Sequence, residues 1–523
     1  MPAKAPQTSR HREVERKFDV LESTVSPSFE GIAAVAQVET SPTQTLDATY
    51  FDTPTQDLAR NKITLRRRTG GADAGWHLKL PAGPDARTEI RAPLDASGPA
   101  GQNSVPSDLL DVVLAIVRDR PLQPVARIAT ERQTQVLYSA DGTALAEFSN
   151  DHVTAWAAGA PEGSDSQPAQ QEWREWELEL IESSGESDGD PDTELLNRLS
   201  NRLLDAGAAP AGHASKLARV LGTTSQPNGL RLAEDPLQRA VAEQVGELLV
   251  WDRAVRADAP DSVHQMRVTT RKIRSLLRDY QESFGLPDDG WVLDELRELA
   301  GVLGIARDAE VLAERYEREL DRLTPELVRG PVRERLVGGA RRRYQTGLRR
   351  SLTAMRSQRY FRLLDALDSI AAQSPTTISG EEQAPVTIDA AYKKVRKAAK
   401  AAKATEAGAQ VDQEGPTAEQ ERDLAIHRIR KRAKRLRYTA AATGAGKVSE
   451  RAKAIQSLLG DHQDSVVSRE HLSHEAEAAY AAGEDTFTYG LLYQQEEELA
   501  ESCREQLDDA LRKLAKAVRK AGH

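Results

Sequence analysis

Two hydrophobic periods divide the chain. In its first part, charges recur at every second position. Glu13, Glu15 and Lys17 alternate with Val14, Arg16 and Phe18, which places the three charges on one face of a strand. The device returns in Arg66 and Arg68 around Arg67, and in His77 and Lys79 between Trp76, Leu78 and Leu80. It returns again in Arg87, Glu89 and Arg91, and in Glu175, Glu177 and Glu179 between Trp176, Leu178 and Leu180. At least five strands are predicted to carry a charged face opposite an apolar or mixed one. From about residue 232 onward the pattern is helical, rich in Ala, Leu, Arg and Glu with few internal Gly or Pro.

One such strand alone is an ordinary solvated sheet face. The set differs, because Glu-x-Glu-x-Lys and Glu-x-Glu-x-Glu concentrate like charge, which costs energy without a counter-charge. A closed barrel with a charged lumen brings the acidic and basic strands together. Carboxylates then suit a hard divalent cation, and Arg and Lys an extended polyanion.

The helical part contains a repeat. His264, Arg267, Arg271, Lys272 and Arg274 have the same spacing as His427, Arg430, Lys434, Arg435 and Arg437. Each set is followed by Leu-Gly and then an Asp, at Leu303-Gly304…Arg307-Asp308 and Leu459-Gly460…Gln463-Asp464. At ~100° per residue, His264, Arg267, Arg271, Arg274 and Arg278 lie within roughly 80° of arc. No acid interrupts the run from His264 to Arg278 or from His427 to Arg437. A solvated helix normally intersperses acids one turn away, so the duplicated acid-free faces suggest an anionic ligand. The two Asp motifs read as caps or braces of the following helix.

Charge sharpens the division. Residues 1–225 hold 22 Lys and Arg against 33 Asp and Glu, while the remainder of the 523-residue chain holds 49 against 48. Domains are expected at 1–222 and 232–523, with a small polar linker at 223–231. No apolar run approaches the ~18 residues of a membrane span, and no signal-peptide pattern opens the chain. Cys503 is the only cysteine, which excludes an internal disulfide and a Cys-x-x-Cys zinc site. A cytoplasmic protein is expected.

The ordered series of motifs across about residues 11–221 resembles the CYTH family of triphosphate tunnel enzymes. It comprises Glu13-Val-Glu15-Arg-Lys17, Tyr50-Phe51-Asp52-Thr53, Leu65-Arg66-Arg67-Arg68, Trp76-His-Leu-Lys79-Leu-Pro81, Arg87-Thr-Glu89, Arg127, Arg132, Leu145-Ala-Glu147, Asp151, Glu175-Trp-Glu177-Leu-Glu179 and Ser215-Lys216. The resemblance implies an antiparallel eight-stranded tunnel with flanking helices. Lys17, Arg66, Arg68, Lys79, Arg127, Arg132 and Lys216 would grip phosphate. Glu13, Glu15, Glu177 and Glu179 would bind Mg²⁺ or Mn²⁺ and, with Lys17, carry catalysis. Glu89, Glu147, Asp151 and Glu175 would brace the cations. His77 departs from the family, whose members usually have a hydroxylic or apolar residue there, and the Gly/Ser/Pro-rich loop 158–171 carries no obvious chemistry.

The duplicated His-x-x-Arg helix resembles the CHAD family over about 232–520. This implies an all-α domain of two pseudo-symmetric helical bundles that binds inorganic polyphosphate through His264, Arg267, Arg271, Lys272, Arg274, His427, Arg430, Lys434, Arg435 and Arg437. The expected whole is a metal-dependent hydrolase of inorganic triphosphate with a polyphosphate-binding module, associated with polyphosphate granules. A non-catalytic polyphosphate scaffold and an enzyme acting on ATP, as a cyclase, or on thiamine triphosphate are the alternatives. A membrane partner is not expected. Nucleic acid is disfavoured by the helical part's near-neutral balance and its lack of an aromatic stacking run.

Overall fold

The structure is a computed structural model. It describes residues 9–83, 85–94, 104–158, 170–181, 193–222, 235–281, 283–285, 290–373, 387–407 and 418–521. The expected linker at 223–231 lies outside them, as do most of the expected loops at 158–171, 374–385 and 405–420.

The period-two segments form one closed antiparallel barrel. Its strands are β1 (Ser9–Val20), β3 (Gln44–Asp52), β4 (Thr64–Thr69), β5 (Gly75–Pro81), β6 (Ala86–Ala92), β7 (Gln123–Tyr138), β8 (Ala144–Ala157) and β9 (Gln170–Leu180). They follow the order β1-β6-β5-β4-β3-β7-β8-β9, and β9 pairs back onto β1. The short strands β2 (Gln37–Thr40) and β10 (Ala209–Pro210) add to β7 and β1.

Alternation decides what each face buries. Val14, Phe18, Phe148, Trp176 and Leu178 point outward, under Leu195, Leu199 and Leu203 of helix α3 (Thr193–Asp205). Leu65, Trp76, Leu78 and Ile90 point outward, under Leu109, Val113 and Ile116 of helix α2 (Ser107–Val117). Helix α1 (Asp57–Arg60) is capped by Asp52, whose buried carboxylate accepts from the backbone N–H groups of Leu58 and Ala59 at 2.9 Å. Helix α4 (Lys216–Val220) packs against lumen-side residues instead. Its Leu217 and Val220 meet Ala48, Ile128, Val153 and Ala155. Beyond Lys216 the lumen is therefore filled with apolar side chains.

Nine α-helices follow among the described residues: α5 (Pro236–Arg256), α6 (Ser262–Asp279), α7 (Trp291–Arg322), α8 (Gly339–Met355), α9 (Gln358–Ala372), α10 (Ile388–Ala407), α11 (Ala418–Ala442), α12 (Gly446–Ala481) and α13 (Phe487–Ala521). No helix among the described residues is long and apolar enough to cross a membrane. The chain separates into two compact units, Met1–Leu303 with Arg350–Thr376, and Gly304–Arg349 with Thr377–His523.

The first unit holds the barrel together with helices of the second motif region. At the end of α2, Arg118 adopts a left-handed φ of 59° and reaches Asp365 and Asp368 on α9. Asp111 of α2 accepts from Arg256 of α5 at 3.2 Å and pairs with Arg356 at 2.9 Å. In the second unit, α10 to α13 share an apolar core that includes Val395, Ile429, Leu436, Ile455, Leu459 and Leu514.

Candidate active site

The inward face of the barrel lines a cavity of about 400 Å³. Glu13, Glu15, Lys17, Arg66, Arg68, Lys79, Glu89, Arg132, Glu147, Glu177, Glu179 and Lys216 all line it. Ladder register arranges them in rows. Glu15 stands opposite Glu179, which stands opposite Glu147. One step along, Lys17 stands opposite Glu177. On the other wall, Arg66 lies between Tyr50 and His77, and Lys79 lies between Thr64 and Glu89.

The deeper row is self-neutralised. Lys17 donates to Glu15 at 2.6 Å and to Glu177 at 2.9 Å. The Lys216 ammonium lies 2.8 Å from Asp151, 2.7 Å from Glu175 and 2.8 Å from Glu177. Ser215 caps α4 by accepting from the Ala218 N–H, and this sets Lys216 at the first turn facing the acids. Arg132 binds Asp151 through two nitrogens, at 2.8 and 2.6 Å, and also reaches Glu177. Burial alone would raise Glu177, but Lys17, Lys216 and Arg132 hold it well below the usual carboxylate range.

Asp151, Glu175 and Glu177 bring carboxylate oxygens within 4.8 Å of one another, close enough to share a cation. The Lys216 ammonium already fills that role, so a divalent ion there would have to displace a buried lysine. In the row of Glu15, Glu179 and Glu147, flanked by Glu13, ammonium groups reach two members: Lys17 lies 2.6 Å from Glu15 and Lys79 lies 2.6 Å from Glu13. Burial pushes Glu179 up to about 8; Lys79 pulls against this, and Glu13, Glu15 and Glu147 add to it. Glu13 is also raised, chiefly by burial. Glu15 is drawn down to about 2 by Lys17 and Lys79, which overcome its burial. Hard oxygen donors with residual like-charge repulsion could hold a divalent cation.

The opposite wall is cationic. Arg68 pairs with Asp73, and Lys79 lies 2.6 Å from Glu13. Arg66 donates to the Tyr50 hydroxyl at 3.4 Å, and its buried Nε has no hydrogen-bond partner among the described residues. A guanidinium held in this way could bind an anion.

One expectation needs correction. Arg127 is not in the lumen. It is 62% exposed on the outer face, paired with Asp47 and lying over the Trp156 ring. Arg127 and Arg132 are an odd number of residues apart on one regular strand, so only one can point inward. Glu177 lines the same cavity and shares Lys17 with Glu15, and Glu147, expected as a brace, stands opposite Glu179. The alternation sets Arg91 on one face with Glu89, which it binds, but assigns it no role at the site; Asp73, in the hairpin that follows β4, is not singled out by it.

In the helical region, α6 and α11 carry the repeated residues. His264, Arg267 and Arg274 are half-buried, and Arg271 and Lys272 are exposed. His427, Arg430, Lys434 and Arg437 are half-buried, and Arg435 is exposed. Arg435 faces Lys394 and Arg432 around a shallow recess between α10 and α11, apart from the His427 face. The duplication extends to a contact the sequence did not disclose. Arg274 donates to the Leu293 carbonyl at 3.0 Å and Arg437 to the Gln456 side chain at 3.1 Å, each 19 residues on, in the next long helix. Gly460 of the second Leu-Gly motif faces Arg430, whose guanidinium would lie 3.4 Å from a Cβ placed there.

A CYTH domain model matches residues 11–201, and a CHAD domain model matches residues 239–473. An uncharacterized protein of Mycobacterium tuberculosis (strain CDC 1551 / Oshkosh) is 72% identical over 527 residues, covering 100% of both chains. Its counterpart in a second strain matches to the same extent. Among solved structures, PptA from Streptomyces chartreusis is 20% identical, covers 53% of this chain and 98% of its own, and has a TM-score of 0.37. The CHAD domain from Ricinus communis is 23% identical over 54% of this chain and 93% of its own, with a TM-score of 0.36.

Proposed function

Because this chain belongs to the family of proteins that join a CYTH domain to a CHAD domain, we propose that it hydrolyses inorganic triphosphate in the tunnel and binds inorganic polyphosphate on the CHAD helices. One observation carries the reading. Inside one lumen, a carboxylate row that its own cations leave partly uncompensated at Glu179 faces a wall where Arg66 keeps an unpartnered, buried Nε.

In this reading Arg66, Arg68, Lys79 and Arg132 hold phosphate oxygens and align the chain. Arg91 and Glu89 fix the direction of that wall. Lys17 and Lys216, held by Glu15, Glu177, Asp151 and Glu175, would add N–H donors to phosphate oxygens at the deep end of the lumen. Glu13, Glu15, Glu179 and Glu147 would hold Mg²⁺ or Mn²⁺, which supplies Lewis-acid stabilisation of the charge on the reacting phosphoryl group. The apolar packing of Leu217 and Val220 beyond Lys216 favours a short substrate or a chain end over a thread passing through.

The test is phosphate release from tripolyphosphate, ATP and thiamine triphosphate, with Mg²⁺, Mn²⁺ or EDTA. Release from tripolyphosphate that EDTA abolishes is the expected result. Metal-independent release, or none from any of the three, refutes the reading.

A further inference from the structure

His77 lies on the lumen side of β5, opposite Arg66 of β4 and Arg91 of β6, and is 1% exposed. Both ring nitrogens are engaged. Nδ1 lies 2.9 Å from Glu89 Oε1, and Nε2 lies 3.0 Å from the Asp73 carbonyl oxygen. A carbonyl only accepts, so Nε2 carries a proton. Each of the two partners also binds a clamp residue. Glu89 accepts from Arg91 and lies 3.8 Å from Lys79, and the Asp73 carboxylate pairs with Arg68.

The hairpin that contains Asp73 is shaped to present it. Gly70 and Gly71 have φ of 80° and 75°, and a Cβ on Gly70 would collide with the Thr45 carbonyl at 2.2 Å. A Cβ on Gly75 would stand 2.8 Å from the Ala92 carbonyl. The turn is thus tightly confined, and His77 is the side chain that ties it to the Glu89 wall.

We propose that His77 is a positioning residue of the tunnel, bridging Glu89 and the Asp73 hairpin so that Lys79, Arg91 and Arg68 converge on one phosphate path. This rests on the triphosphate reading above. An imidazole suits the task because one rigid ring sets a nitrogen against each of two acceptors: with Glu89 ionised, the doubly protonated ring donates to both, and the neutral ring keeps the bond from Nε2 to the Asp73 carbonyl. An amide at the same backbone position keeps one of these bonds and loses the other. The charged groups facing the ring are Arg66, Arg68, Arg91, Lys79, Glu89 and Asp73. Burial, followed by Arg66 and Arg68, opposes a second proton, and Glu89 favours it.

The experiment uses the full chain with tripolyphosphate. His77→Ala, His77→Asn and His77→Gln are compared by KM and kcat, by the pH profile of kcat/KM, and by tripolyphosphate binding in EDTA. Losing a hydrogen bond to a charged partner costs roughly tenfold or more. His77→Ala should raise KM at least about tenfold while changing kcat less, and added imidazole should restore part of the loss. Should His77→Ala fail to fold, the two amide variants carry the test, each with a raised KM and a pH profile displaced from wild type. Folded variants with wild-type KM and pH profile overturn the proposal. Wild-type protein that neither binds nor hydrolyses tripolyphosphate overturns the triphosphate reading and this role with it. Wild-type binding alongside unaffected variants overturns the His77 role alone.

Discussion

Glu15 on β1 and Glu179 on β9 stand directly opposite each other across a ladder, yet they are held in opposite protonation tendencies. Lys17 and Lys79 draw Glu15 down to about 2, while burial and neighbouring carboxylates push Glu179 up to about 8. Two like groups driven apart in this way mark a place where charge is waiting for a partner.

Glu179→Gln should therefore cost turnover by orders of magnitude, since the group expected to share the ion is lost. The same variant makes a stability test. Glu179 is raised above its ordinary 4.5, so the folded state binds more protons than the unfolded state between about 4.5 and 8. Stability is fully present below that window and declines as pH rises through it. Metal-free wild-type protein should lose melting temperature from pH 5 to 8 relative to Glu179→Gln, and Mg²⁺ or Mn²⁺ should abolish the difference. Parallel melting curves without metal would count against a strained carboxylate row.

Arg66→Ala should raise KM and lower kcat for tripolyphosphate, because a buried guanidinium both positions the chain and offsets transition-state charge. Arg127→Ala is its paired control. Arg127 lies on the outer face against Asp47 and Trp156, so its kinetics should match wild type. A kinetic defect in Arg127→Ala equal to that of Arg66→Ala would put the phosphate path elsewhere.

These contrasts mark how far the alternation of residues reads. Parity alone places Glu13, Glu15 and Lys17, Arg66 and Arg68, and Glu177 and Glu179 on inward faces, and the closed barrel follows once acidic and basic strands must meet. Parity also rules against Arg127 once Arg132 is inward, a constraint that matching motifs one by one overlooks. Which acid a given lysine will take is not periodic. Lys216 reaches Asp151, Glu175 and Glu177 because Leu217 and Val220 seat α4 among lumen residues, and no local pattern announces that packing. Asp73 depends in the same way on the path of a glycine turn.

The seam of the first unit can be tested at Arg118. Its left-handed φ of 59° is costly for a residue with a Cβ, and its guanidinium reaches Asp365 and Asp368. Arg118→Ala keeps the backbone strain and loses both carboxylates. Arg118→Gly loses the same contacts but relieves the strain, by about 1 kcal/mol. The glycine variant should therefore melt above the alanine variant, and both should melt below wild type. An alanine variant as stable as wild type would show that α9 does not hold this turn.

The basic helices should bind long-chain polyphosphate without divalent metal, with affinity falling steeply as salt rises through counterion release. Their residues should not contribute alike. Arg274 and Arg437 are committed to Leu293 and Gln456, so Arg274→Ala and Arg437→Ala should lower melting temperature more than affinity. The combined change Arg267→Ala, Arg271→Ala, Arg430→Ala and Lys434→Ala should instead weaken binding and flatten the salt slope in a protein that stays helical. Burial, together with Lys431 and Arg430, lowers His427 from its ordinary 6.5. Its charge, and any gain in affinity that it brings, should therefore enter only below that pH and disappear in His427→Gln. If the fourfold variant remains helical and keeps wild-type affinity and salt slope, these helix faces are solvated surface and the polyphosphate site lies elsewhere.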